Sequence, residues 1–360
     1  MRRKWEFDVS EAVRIHAHGG AEALVYEHVP LPEPGPGEAL VHHTAIGLNF
    51  IDVYYRSGLY KVPHLPVTLG MEGAGTVSAV GPGVGHVKPG DRVAYAGGPL
   101  GAYATDRVIP ADRLVLIPDG IDDRTAATMM MQGMTAAYLL HRTYPVRAGD
   151  WIVVHAAAGG VGLILCQWAR QLGARAIGVV SSPGKAELAL ANGAVAAVVG
   201  YGSLAAEVKK LTGGAMVPVV YDSVGKDSFT ASLDCLAPLG MMVTYGAASG
   251  PVPPVDPAIL GARGSLFLTR PSLAHYTARR ADLERYAGLL FEVLSQRCER
   301  GSTILTSNLP IDEWISVFGT GRLTGALLDR MTCQVHILEM NGESYRQKHG
   351  RHASRLVAAR

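Results

Sequence analysis

Cysteine is scarce in this chain. Four occur in 360 residues, Cys166, Cys235, Cys298 and Cys333, and no two form a C-x-x-C pair. That spacing argues against a disulfide framework and against a structural zinc site, and leaves reduced, buried thiols in a cytoplasmic protein as the expectation. An excess of one charge is also missing. The formal net charge is +2, from 33 Lys and Arg against 31 Asp and Glu, so there is no bulk attraction to nucleic acid or to an anionic membrane. No uncharged apolar run reaches the ~18 residues that a membrane span requires. Residues 1–7 are basic but lack the apolar core of a secretory signal, so none is expected. Glycine, by contrast, is plentiful at 43 residues, which suits many tight turns and close backbone approaches. Hydrophobic residues at 48% and charged residues at 18% describe a globular chain, long enough for two lobes.

The first part of the chain, to about residue 130, consists of short β-type runs such as Leu40–His43, Gly75–Val80, Arg92–Ala96 and Arg113–Ile117, separated by Gly/Pro punctuation. A helical stretch follows at Thr125–Arg142. From Trp151 the pattern alternates. Strands are expected at Trp151–Ala156, Ala176–Val180, Ala196–Val199, Val217–Asp222 and Gly240–Tyr245, with helices at Val161–Leu172, Lys185–Ala191, Leu204–Leu211 and Ser228–Cys235. These strands are short and apolar without alternation, as in a parallel sheet covered on both faces. An amphipathic helix at Arg280–Ser295 precedes a stretch, Ser302–Leu328, that reads as a return to the first lobe, and Arg346–Arg360 reads as a mobile basic tail. The expected class is α/β, a β-rich lobe plus a doubly wound parallel-sheet lobe. The expected limits are 1–132 and 270–331 for the first lobe, 133–269 for the second, and 332–360 for the tail.

The segment Trp151-Ile-Val-Val-His155-Ala-Ala-Ala-Gly159-Gly160-Val161-Gly162 carries an apolar strand through a Gly-rich turn into an apolar helix. That is the setting a dinucleotide-binding turn requires. Gly159 lets the backbone approach a pyrophosphate, Gly162 lets the helix pack on the strand, and the helix N-terminus offers N–H groups to the phosphates. One position departs from G-x-G-x-x-G: Ala157 stands where the first glycine is expected. An enzyme using NAD tends to carry a carboxylate at the end of the second strand for the ribose 2′-hydroxyl. Here that strand runs into Ser181, Ser182, Pro183, Gly184 and Lys185. With no carboxylate, two hydroxyls and a lysine, the segment favours a 2′-phosphate, hence NADP(H).

The run Asn49-Phe-Ile-Asp52-Val-Tyr54-Tyr-Arg56-Ser-Gly58-Leu-Tyr60 closely resembles the N-F-I-D-x-Y-x-R-x-G-x-Y signature of NADPH:quinone oxidoreductases. These are zinc-free members of the medium-chain dehydrogenase/reductase superfamily, which also includes zeta-crystallin. Gly81-x-Gly-Val84, Gly90-Asp91-Arg92-Val93, Tyr221-Asp222-Ser223-Val224-Gly225 and Thr269-Arg270-Pro271-Ser272 match in the family's order, over about residues 10–330. The resemblance implies a GroES-like lobe, a Rossmann lobe, a cleft between them and a homodimer. It implies that Asn49, Tyr54 and Tyr60 line the nicotinamide and quinone pocket, and that Gln132, Gly133 and Thr135 border the nicotinamide–phosphate portion. It further implies that Gly160 and Val161 hold the pyrophosphate, and that Ser181, Lys185 and Tyr201, with Ser182 beside them, hold the adenosine ribose and its phosphate. Tyr245, Gly246, Ala247 and Ala248 would follow the fourth βα turn, and Leu268, Thr269 and Arg270 would close over the nicotinamide.

Zinc-dependent relatives carry a cysteine where this chain has Asn49 and G-H-E where it has Gly70-Met71-Glu72. Glu72 alone cannot hold zinc and reads as a packed turn residue. His42 and His43 are adjacent on a strand, face opposite sides and form no ligand pair. Without a Lewis acid, hydride delivery to a quinone rests on positioning, with Tyr54, Tyr60 or Asn49 donating a hydrogen bond to the developing oxyanion and Arg270 adding positive charge. Two alternatives stand beside this reading. One is reduction of activated C=C bonds in 2-alkenals or enoyl thioesters. The other is an RNA-binding, zeta-crystallin-like protein, for which Arg346–Arg360 is the only support. The segment at 314–321 is shorter than the family's final helix, which puts a contact at 322–325 in question.

Overall fold

The structure is a computed structural model and describes residues 9–298. The expected return at 302–328, the segment at 314–325 and the basic tail lie outside the described residues. The chain forms two units, one built from residues up to Tyr138 and from Leu273 on, the other from Leu139–Ser272.

The first unit begins with β1 (Val9–Ile15), β2 (Leu24–Pro30) and β3 (Glu38–Gly47), then α1 (Phe50–Arg56), β4 (Val67–Thr68), β5 (Glu72–Val80), β6 (Arg92–Ala96), β7 (Asp106–Pro110), β8 (Val115–Leu116) and α2 (Asp123–Tyr138). The strands make a three-stranded sheet, β2-β1-β4, and a five-stranded sheet, β7-β3-β5-β6-β8. Their registered pairs are antiparallel. Val41, Val77, Val93, Tyr95, Ile109 and Leu114 fill one core cluster, and Val13, Ile15, Val67, Leu69 and Tyr103 another. β3 and β5 are longer than the runs expected at Leu40–His43 and Gly75–Val80. Small residues continue both strands where Gly47 pairs with Glu72 and Ile46 with Gly73. The strand expected at Arg113–Ile117 is shorter: a 3-10 turn occupies Ala111–Arg113, and Arg113 Nη1 donates to the Thr277 carbonyl at 3.2 Å.

The second unit alternates strand and helix: β9 (Trp151–His155), α3 (Gly160–Gln171), β10 (Arg175–Val180), α4 (Pro183–Ala191), β11 (Ala196–Val199), α5 (Leu204–Leu211), β12 (Val217–Asp222), α6 (Phe229–Leu233), β13 (Leu236–Thr244), α7 (Ala258–Ala262) and β14 (Phe267–Thr269). All six strands are parallel, in the order β11-β10-β9-β12-β13-β14. The chain builds outward from β9 to β11, then crosses back to place β12 on the other side of β9. In an open α/β sheet that reversal leaves a crevice at the carboxyl ends of the two central strands, where ligands bind. Ile177, Val179, Val220, Met242, Val208 and Phe229 pack one side of this sheet. α4 starts two residues before the expected Lys185 because Pro183 suits a first helical position, where no N–H is needed.

The chain then adds α8 (Leu273–Tyr276) and α9 (Arg280–Cys298) to the first unit. Tyr276 stacks on Tyr138 with ring centroids 4.2 Å apart. A Cβ on Gly133 would lie 2.3 Å from Leu290 Cδ1, so this glycine lets α9 close on α2. Among the described residues no helix is long and apolar enough to cross a membrane.

Candidate active site

The nucleotide turn sits at the carboxyl end of β9, at the point of strand-order reversal. Gly159 is the N-cap of α3, and Gly160 begins the helix. A side chain on Gly162 would put its Cβ 2.2 Å from the Ala156 carbonyl oxygen and 2.8 Å from Ala157 Cα. The first turn of α3 therefore lies directly on the turn's backbone, which only glycine at 162 allows. The missing first glycine also has an explanation. The residue in the left-handed region is Ala156, with φ at 47°, not Ala157. Ala157 is fully buried, and its methyl occupies the space left by Gly178 on β10, where a Cβ would lie 2.8 Å away. The Ala157 methyl thus fills the space that Gly178 leaves open within β10.

The other residues expected in the second unit gather at the carboxyl ends of the strands. Ser181 and Lys185 are exposed, and Ser182 is the N-cap of α4 without a side-chain capping bond. The turn after β10 thus presents hydroxyls and one ammonium group, with no carboxylate from Ser181 to Lys185. Tyr201 follows β11, half-buried, its ring 5.7 Å from that of His155. Burial and the charges of Asp222 and Asp227 hold its phenol above the usual value. Tyr245, Gly246, Ala247 and Ala248 follow β13, and a Cβ on Gly246 would meet the Ser223 carbonyl at 2.3 Å. Leu268 and Thr269 end the sheet on β14. Arg270 Nη1 donates to the carbonyls of Thr244 and Gly246, both at 2.9 Å, and so ties the end of β14 to the end of β13.

Beneath this surface lies a polar cluster to which the sequence assigned no role. Asp222 ends β12 with no solvent exposure. Its oxygens accept from Val224 N (2.8 Å), Gly225 N (3.1 Å), Ser228 Oγ (2.7 Å) and Ser232 Oγ (2.8 Å). Because Ser232 gives its hydrogen to Asp222, its oxygen accepts from His155 Nε2 at 2.9 Å. Burial lowers the His155 pKa, opposed by Asp222. The Tyr221-Asp222-Ser223-Val224-Gly225 match was the only signal for this cluster.

In the first unit, Asn49 is the N-cap of α1 and forms a capping box with Asp52. Asp52 Oδ2 accepts from Asn49 N and from Tyr103 Oη, each at 2.9 Å. Gly70, with φ at 87°, makes room for the Tyr103 ring: a Cβ there would lie 2.3 Å from it. Tyr54 is buried, with its ring centroid 5.1 Å from that of Tyr60 and 5.4 Å from that of Phe50. The expected trio of Asn49, Tyr54 and Tyr60 is therefore carried on one short helix and the turn after it. Gln132 and Thr135 are buried on α2, and Gly133 is committed to Leu290.

Glu72 is not a turn residue. It begins β5 with no exposure. Its Oε2 accepts from Asn49 Nδ2 at 2.5 Å, and its Oε1 from the Met131 N–H at 2.7 Å. Burial pushes its pKa up to about 8 and that of Asp52 up to about 7. His42 and His43 do face opposite ways. His42 bonds Asp106 Oδ1 at 2.8 Å, whereas His43 turns inward to the Ala104 carbonyl (2.7 Å) and Tyr95 Oη (2.8 Å), and burial lowers its pKa to about 4. Among the described residues no three His, Cys, Asp or Glu side chains come together as a metal-binding set. Cys166 and Cys235 are free and buried, their thiols pushed up to about 12 by burial.

Family models match three stretches: an alcohol dehydrogenase GroES-like domain over residues 35–119, a zinc-binding dehydrogenase domain over 160–290, and an IstB-like ATP binding protein over 280–353. The third falls mostly outside the described residues. A quinone oxidoreductase of Pseudomonas aeruginosa is 50% identical over 301 residues, 83% of this chain and 91% of that protein. A 2-haloacrylate reductase of Burkholderia is 45% identical, over 79% of this chain and 87% of its own length. The crystal structure of an Escherichia coli quinone oxidoreductase complexed with NADPH superposes with a TM-score of 0.80 at 41% identity, covering 89% of this chain and 97% of that one. With half its residues shared over most of both lengths, the chain belongs to the quinone oxidoreductase family of the medium-chain dehydrogenase/reductase superfamily.

Proposed function

We propose that this chain reduces quinones with NADPH and without a metal ion. The observation that carries the reading is the turn at Ala156–Gly162, placed at the strand-order reversal and closed on its own backbone through Gly162. NADPH supplies the hydride. The residues present fit it: Gly159, Gly160, Val161 and Gly162 form the helix start that takes a pyrophosphate, and Ser181, Ser182, Lys185 and Tyr201 take the adenosine ribose and its 2′-phosphate. Arg270 holds the turn of Tyr245–Ala248 in place through two carbonyls, with Leu268 and Thr269 alongside. Gly133 shapes α2 by admitting α9. On this reading residues 133–269 carry the cofactor, and 1–132 with 270–331 carry the acceptor.

Asn49, Tyr54 and Tyr60 line the acceptor pocket. Their work is positional: the tyrosine rings give a flat apolar wall, and Asn49 or a phenol donates to the oxygen that gains charge. Two copies pair through the β14 edge, where Phe267 and Leu268 are exposed on a strand with one neighbour among the described residues. The buried, protonated thiols suit the cytoplasm. A second reading, reduction of activated C=C bonds, is supported by the 45% identity to the Burkholderia 2-haloacrylate reductase.

The test is a panel of NADPH or NADH with 1,4-benzoquinone, 9,10-phenanthrenequinone, a 2-alkenal, an enoyl-CoA and a 2-haloacrylate. NADPH-dependent quinone reduction is expected. A preference for NADH would sink the reading of Ser181 and Lys185, and activity on the unsaturated substrates alone would replace the quinone assignment. Tyr54→Phe is expected to lower turnover only modestly. A loss beyond about a thousandfold, the scale of a lost oxyanion donor, would make Tyr54 essential.

A further inference from the structure

Asn49 and Glu72 are 23 residues apart in sequence, and their side chains meet in the closed interior of the first unit. The contact is built from several directions. Gly47 on β3 leaves the space for it: a Cβ there would lie 2.2 Å from Glu72 Oε2 and 2.3 Å from the Ala127 carbonyl. α2 donates the Met131 N–H to Glu72 Oε1, a helix-interior group that normally turns back four residues. That leaves Oε2 for Asn49 Nδ2. Both carboxyl oxygens accept, each from a donor on a different element.

This arrangement decides how Asn49 is used. A primary amide nitrogen carries two hydrogens. One is held by Glu72, and the bond from the Asn49 backbone N–H to Asp52 Oδ2 fixes the residue at the start of α1, so the Glu72 contact sets the direction of the amide and one N–H remains. Resting on the reading that Asn49 lines the acceptor pocket, we propose that Glu72 is a positioning residue that orients the Asn49 amide so that its second N–H donates to the oxygen being reduced. A carboxylate does this well because both oxygens accept. With a proton on Oε2, that oxygen becomes a donor, and Asn49 must turn its carbonyl toward it. Burial and the charge of Asp52 from α1 disfavour the ionisation of Glu72, while the Met131, Asn49 and Met130 donors favour it; Tyr95 from β6 and Tyr103 from the segment before β7 face it as neutral phenols. The switch in orientation falls near pH 8, within reach of a kinetic titration.

Glu72→Gln tests the geometry sharply. An amide has one accepting oxygen, which the fixed Met131 N–H claims, so its NH2 faces Asn49 and reverses the Asn49 amide. With 1,4-benzoquinone and saturating NADPH, Asn49→Ala lowers kcat by roughly 100-fold, the effect of one lost oxyanion donor. Glu72→Gln is expected to lower it by a similar factor, with NADPH affinity unchanged, and to cost nothing further in the Asn49→Ala background. The wild-type kcat is expected to rise through pH about 8, and this step disappears in both single variants. The Asn49→Ala profile alone tests the link should Glu72→Gln fail to fold. Additive losses in the double variant, or a step that survives in either single variant, would overturn the role given to Glu72. An Asn49→Ala enzyme with full kcat would instead overturn the pocket assignment on which it rests.

Discussion

Asp222 and Asp52 are both enclosed aspartates, at 0% and 2% exposure, yet they are bonded in opposite ways. Asp222, at the end of β12, accepts from four residues: two backbone N–H groups and two serine hydroxyls. Asp52, in the first turn of α1, has two donors on Oδ2 and no partner for Oδ1. Glu72, beside it, also has two hydrogen-bond donors, but spread one to each oxygen. A buried carboxyl with a full set of donors is a structural knot, because each donor would be stranded without it. One with few donors keeps its proton toward neutral pH, and burial accordingly pushes Asp52 to about 7 and Glu72 to about 8. The second unit thus uses its acid to hold a turn, while the first keeps two acids close to titration beside Asn49.

The largest effect that separates the two clusters is expected from Asp222→Ala. It strands Ser228 Oγ, Ser232 Oγ and two N–H groups, and at about 1–3 kcal/mol for each buried unsatisfied group it should remove most of the stability, read as a collapse of the urea midpoint. An unchanged midpoint would mean that Asp222 is no knot. Next comes the pH dependence. Asp52 and Glu72 have folded pKa values above their ordinary 3.8 and 4.5, so the folded state holds protons that the unfolded chain has lost. Their contribution is fully present below about pH 4 and is lost as pH rises through about 7 and 8. Urea midpoints should fall across that window, and Glu72→Gln should flatten the upper part of the slope. A rising slope would invert the comparison. The smallest effect belongs to Tyr103→Phe. Tyr103 donates to Asp52 Oδ2, so its loss should cost roughly 1–2 kcal/mol at pH 8, where Asp52 is ionised, and less at pH 5. An equal cost at both values would show that the hydroxyl serves packing alone.

Much of the second unit was legible in the chain. β11, α5 and β12 lie within the limits read from the sequence, and β9 and α3 shift by a residue, because short apolar runs bounded by Gly and Pro report strands that are buried on both faces. The first unit was less legible. α1 was read as a signature rather than a helix, since its seven residues are mostly aromatic and β-branched and it is held by its cap. β14, three residues with two of them exposed, carries no periodicity to read.

Sequence by itself determined the dinucleotide turn, the absence of an acid after β10 and the family signature from Asn49 to Tyr60, all of them local strings whose chemistry depends on neighbours in the chain. Only the tertiary structure decided that Ala157 is compensated by Gly178, that Asp222 gathers four donors, and that Glu72 is a buried partner of Asn49 and not a turn residue. The reason is distance along the chain. The Met131 donor to Glu72 is 59 residues away, and a carboxyl's donors, burial and proton affinity are set by whatever packs around it, which no local pattern records.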